Sequence, residues 1–101
     1  MMRLGMISAN DIDQYINNSR YLLVDLREKK DYIQSHIENA IYMDYEDIEN
    51  NKVTLPRNKM ILLYCDRGGL SLMAARKLSY MGYNVKSVIG GIYAYKGKNK
   101  T

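Results

Sequence analysis

These 101 residues contain one cysteine, one proline, no tryptophan and no phenylalanine. No apolar run approaches the ~20 residues needed to cross a membrane as a helix. Each shortage excludes something. A lone Cys65 cannot form an intramolecular disulfide, a C-x-x-C redox pair or a cysteine-based zinc site, so no metal is expected. It also fits a reducing compartment, and a cytoplasmic location is expected. The opening stretch MMRLGMISAND reaches polar residues too early for the apolar region of a signal peptide. All ten aromatic residues are tyrosines, scattered without forming a base-stacking platform.

The net charge of +4 is concentrated at one end: without Lys96, Lys98 and Lys100 it would be +1. The body carries an acidic cluster at Asp44, Glu46, Asp47 and Glu49. That pattern describes a near-neutral body with a solvated, frayed basic tail at 98–101, with no nucleic-acid or membrane partner. The length suits a single domain, with its core over about 4–97, and a monomer is expected.

Short apolar runs alternate with helical patterns. LGMI reads as a first strand, and Ser8 with Asp11 three residues on has the spacing of a capping box. Ile12, Tyr15 and Ile16 then place a helix over Ala9 to Asn17. YLLVD (Tyr21 to Asp25) reads as a buried strand, EKKDYIQSHI as a short helical or turn segment, AIYM as a third strand and YEDIEN as a helical turn. Pro56 marks the loop before KMILLY, the strongest strand signal. From Ser71 to Met81, Ala74, Leu78 and Met81 share one helical face, and Gly82 is placed to stop the helix. NVKSVI reads as the last strand, followed by a Gly-Gly turn and a closing helical turn at IYAYK. The alternation predicts a small three-layer α/β fold: a mostly parallel central sheet of about five strands with helices on both faces.

In such a sheet, ligands bind at the carboxyl ends of the strands. There the sequence places Cys65, Asp66, Arg67, Gly68, Gly69, Leu70 and Ser71, between a strand and a helix start. Gly68 and Gly69 allow the backbone to curl and aim successive N–H groups at one point. The unpaired amides of the helix start add to that field, which favours a thiolate, a persulfide or a bound oxyanion. Arg67 assists and Asp66 opposes. From these residues alone, a reactive thiol and an inert buried cysteine closing a core strand both remain open.

The motifs also resemble a known family, the rhodaneses. CDRGGLS is similar to that family's active-site loop, with Cys65 in the nucleophile position. The segment Val24 to Asp44 resembles a first signature, with Asp25 and Arg27, then Ser35-His36-Ile37 and the small residue Ala40. VIGGIYAYKGK resembles the C-terminal signature, with Gly90, Gly91 and a Tyr95 where tryptophan is frequent. Many members carry arginine at the position of Leu70.

The resemblance implies a sulfurtransferase with no cofactor. Cys65 would take sulfur from a small anionic donor such as thiosulfate, hold it as a persulfide, and pass it to cyanide, a small thiol or a protein partner. A relay or partner-binding module with little thiosulfate activity is the alternative. Asp25, Arg27 and His36 are expected to be structural, near the site. Cysteine phosphatases carry arginine six residues after the cysteine to grip the phosphoryl group; here that residue is Ser71, so phosphatase activity is not expected.

Overall fold

The computed structural model describes residues 4–101. Five strands, β1 (Leu4–Ser8), β2 (Tyr21–Asp25), β3 (Ile41–Tyr42), β4 (Met60–Tyr64) and β5 (Asn84–Ile89), form one sheet in the order β1-β5-β4-β2-β3. Every pairing is parallel. The α-helices are α1 (Lys29–Gln34), α2 (Tyr45–Glu49), α3 (Gly69–Tyr80) and α4 (Gly91–Ala94).

Successive side chains of a strand point to opposite faces, so one strand feeds two cores. Leu62 and Tyr64 of β4 join a cluster containing Ile12, Ile37, Val88 and Ile92. Ile61 and Leu63 of β4, with Cys65 just beyond it, join Ile48, Ala74, Ala75 and Leu78 under α2 and α3. The expected layers are therefore present, and the sheet carries helical cover on both faces.

Several boundaries differ from the sequence expectation. Residues Ala9–Gln14 form a 3-10 helix rather than an α-helix running to Asn17. The Tyr15 amide bonds the Ile12 carbonyl at 2.8 Å, a tight closure that turns the chain toward β2. Ser8 does cap this segment, but through the Asn10 amide at 3.2 Å. β3 is confined to Ile41–Tyr42, which pair with Val24 and Asp25 of β2 at one edge of the sheet. α3 begins at Gly69, two residues before Ser71, because Gly68 sits in the left-handed region at φ 104° and supplies the carbonyl for the Leu72 amide. Gly82 does stop α3: at φ 94° it lets the Gly82 and Tyr83 amides return to the Ser79 and Leu78 carbonyls.

The tail is a correction too. Its lysines are exposed, but its backbone is pinned rather than frayed. Ile37 and Lys100 form an antiparallel bridge, the Glu38 amide donates to the Asn99 carbonyl at 2.7 Å, and the Thr101 amide to that of His36 at 2.8 Å. Asn99 Nδ2 further reaches Asp13 at 3.0 Å. The charges mislead here because these bonds use the main chain, which composition does not report.

Candidate active site

Cys65 follows the last residue of β4 directly and lies beneath the first turn of α3. Its side chain is buried, and two main-chain amides point at its sulfur: Gly68 N at 3.2 Å and Ser71 N at 3.4 Å from Sγ. The first amides of an α-helix have no partner within it and form the positive end of its dipole. No acidic residue in the first turn of α3 opposes that field. The arrangement favours negative charge on sulfur.

The loop holds this shape because its carbonyls are tied back. The start of α4 donates to them, Ile92 N to Cys65 O at 2.9 Å and Tyr93 N to Asp66 O at 3.1 Å. That approach requires glycine at the first position of α4. Gly91 has φ 60°, and a Cβ there would overlap the carbonyl oxygens of Cys65 and Asp66. Gly68 is similarly confined: its Cβ would lie 3.1 Å from the Gly90 amide nitrogen. The two glycine turns that the sequence placed far apart are thus a single packed unit.

Behind the loop stands a buried polar pair that sequence reading missed. Ser71 Oγ donates to Gly68 O at 3.1 Å and lies 2.8 Å from Ser87 Oγ on β5, and both serines are fully buried. Ser87 therefore anchors the helix start that points at the thiol. Its only sequence signal is a serine inside an apolar strand, which needs a partner if buried. Ser87→Ala should cost about 1 kcal/mol of stability. It should also lower kcat several-fold for any Cys65-dependent reaction, with KM unchanged; a fall in stability alone would make the residue merely structural.

Asp25, Arg27 and Tyr64 form a second network that positions the loop from below. The fully buried Asp25 carboxylate accepts from Arg27 Nη2 at 2.8 Å and from the Tyr64 hydroxyl at 2.7 Å. Tyr64 in turn accepts from the Ile37 amide at 3.1 Å, and Arg27 donates to the Ser35 carbonyl at 2.6 Å. Burial, then the Asp25 carboxylate, push the Tyr64 phenol far above its usual range. Burial disfavours charge on Arg27, but Asp25 more than offsets this and holds the guanidinium charged. Tyr64 immediately precedes Cys65, so this network fixes the chain just before the thiol. Among the described residues no buried side-chain nitrogen or oxygen lacks a partner.

His36 stacks on Tyr32 at 4.0 Å and 14°, and its Nδ1 lies 2.8 Å from the Tyr32 carbonyl. It is absent from the cleft that opens over the sulfur. That cleft, of about 470 Å³, is lined by Cys65, Asp66, Arg67, Gly69 and Leu70, together with Leu26, Arg27, Glu28 and Tyr93. Tyr93 had given no sequence signal as a cleft residue; it enters because α4 docks on the loop. Arg67 lies over its ring at 4.9 Å. No group of three or more His, Cys, Asp or Glu side chains among the described residues could hold a metal ion.

Residues 8–98 match the rhodanese-like domain family. The chain belongs to that family. It is 26% identical to thiosulfate sulfurtransferase GlpE of Coxiella burnetii, over 99% of this chain and 94% of that protein. It is 28% identical to the putative sulfurtransferase YtwF of Bacillus subtilis, over 98% and 97%. A tRNA sulfurtransferase of Desulfurococcus amylolyticus is 34% identical over 92% of this chain, which spans only 18% of that larger protein. Among solved structures, a rhodanese-related protein from Thermoplasma volcanium matches with TM-score 0.77 at 31% identity, over 90% of this chain and 89% of that one. A rhodanese-like domain protein from Staphylococcus aureus matches with TM-score 0.83 at 20% identity over 96% of each chain, a likeness of fold. The family match supports a sulfurtransferase role. No helix among the described residues is long and apolar enough to cross a membrane.

Proposed function

We propose that this rhodanese-like chain transfers sulfane sulfur through a persulfide on Cys65. The observation that carries the reading is the pair of amides, from Gly68 and Ser71, aimed at Sγ on the floor of an open cleft. Such a cradle stabilises the thiolate before attack and the persulfide after it, both monoanions. In the first half-reaction the thiolate electron pair forms a bond to the donor's outer sulfur. The donor's S–S bond breaks and its pair leaves on the remaining fragment. In the second, an acceptor such as cyanide or a thiolate attacks the outer sulfur of the persulfide and restores the Cys65 thiolate. The two steps need no metal, oxidant or organic cofactor. A reducing compartment such as the cytoplasm keeps the single thiol available between turnovers.

Arg27 and Asp25 act here by holding the loop, and His36 takes no part in proton transfer. Arg67, Asp66, Gly69 and Leu70 form the rim that a donor must pass. Formation of thiocyanate from cyanide and a sulfane donor tests the reading. Thiocyanate production is expected, and its absence with every donor in the folded protein would sink the proposal. Aryl phosphate should not be hydrolysed, because Ser71 Oγ is committed to Gly68 O and Ser87 and offers no cationic fork.

A further inference from the structure

The cleft over Cys65 is poor in uncommitted positive charge. Its walls carry two cations, Arg27 and Arg67, and two acids, Glu28 and Asp66. Arg27 is already neutralised by the fully buried Asp25, which it meets through both Nε and Nη2. Its Nη2 also serves the Ser35 carbonyl. Arg67 is exposed, so water and salt screen it. Glu28 pairs with Lys30 at 3.5 Å in an exposed contact, and Asp66 is exposed like Arg67. With Asp25 counted behind Arg27 and Lys30 behind Glu28, the cleft has no net positive charge. What the cleft provides instead is amide hydrogen bonding for one anionic sulfur and hydrocarbon walls from Leu26, Leu70 and the Tyr93 ring.

Resting on the sulfurtransferase reading above, we infer that the cleft selects a monoanionic donor whose sulfane sulfur sits on an apolar body, and disfavours the thiosulfate dianion. A thiosulfonate, R–SO2–S⁻, has this chemistry. The Cys65 thiolate pair bonds to its outer sulfur, the S–S bond breaks, and its pair leaves as the sulfinate RSO2⁻. Two monoanions enter and two monoanions, persulfide and sulfinate, leave. A second charge on the donor gains no net cation, because the exposed Arg67 is balanced by the equally exposed Asp66 beside it.

The test uses thiosulfate, methanethiosulfonate and benzenethiosulfonate as donors with cyanide as acceptor, in the wild type, Leu70→Arg and Asp66→Asn. In the wild type kcat/KM should rise in that order, with benzenethiosulfonate ahead of thiosulfate by about tenfold or more. Intrinsic donor reactivity cancels when variants are compared through the ratio of thiosulfate to methanethiosulfonate. Leu70→Arg should raise that ratio about 5- to 30-fold. Asp66→Asn, an exposed change that leaves the fold intact, should raise it less but in the same direction. A wild type that prefers thiosulfate, or a ratio that neither variant moves, overturns the inference while leaving sulfur transfer intact. Failure of all three donors to yield thiocyanate instead removes the sulfurtransferase reading on which it rests.

Discussion

Cys65→Ser should abolish sulfur transfer, lowering the rate by about a thousandfold or more. Cys65 is the chain's only thiol, and a serine oxygen cannot carry a sulfane sulfur. The substitution is nearly isosteric, and the Gly68 and Ser71 amides that meet Sγ remain to meet a hydroxyl. The variant should therefore fold, with a midpoint close to the wild type. Thiocyanate assays beside thermal unfolding check both halves. A folded variant that keeps more than a trace of activity would mean that another group carries the chemistry.

Gly91→Ala should have the second largest effect, and it touches no reacting atom. The left-handed conformation costs a residue with Cβ about 1–2 kcal/mol. The new methyl group also collides with the carbonyl oxygens of Cys65 and Asp66, which accept from Ile92 and Tyr93. Relief requires α4 to retreat from the loop, freeing those carbonyls and letting the amide cradle drift. A loss of stability of about 2–4 kcal/mol is expected. Activity should fall by about a hundredfold, the scale of effect that a displacement near 1 Å at a reacting group produces. Gly69→Ala is the contrast. Nothing lies within 4 Å of its added Cβ and it opens α3, so stability should hold or rise by up to about 1 kcal/mol. Equal unfolding midpoints for Gly91→Ala and the wild type would refute the packing argument.

The contrast between these glycines shows what the sequence could and could not reveal. The parallel sheet was legible because Tyr21–Asp25, Met60–Tyr64 and Asn84–Ile89 are short apolar runs punctuated by glycine, proline and helical patterns. Cys65 and its glycine loop were legible for the same local reason, as a strand end meeting a helix start. Gly91 was visible as half of a turn, but its partner carbonyls lie 25 and 26 residues earlier in the chain. No local pattern couples them. The Ser71–Ser87 pair, the Tyr64–Asp25 bond and the Tyr95–Asp13 bond span 16, 39 and 82 residues and were likewise invisible. The tail was misread because three lysines dominate its composition, whereas its anchoring uses backbone amides and the side chain of Asn99. The 3-10 helix was misread because Ile12, Tyr15 and Ile16 fit a helical period that the chain abandons at Tyr15 to start β2.

Intact mass of the protein after brief incubation with excess benzenethiosulfonate, followed by removal of the donor, bears most directly on Cys65 as the sulfur carrier. The wild type should gain the mass of one sulfur atom, Cys65→Ser should gain nothing, and added cyanide should return the wild type to its starting mass with release of thiocyanate. A folded wild type that remains at its original mass, or an equal gain in Cys65→Ser, would contradict the assignment.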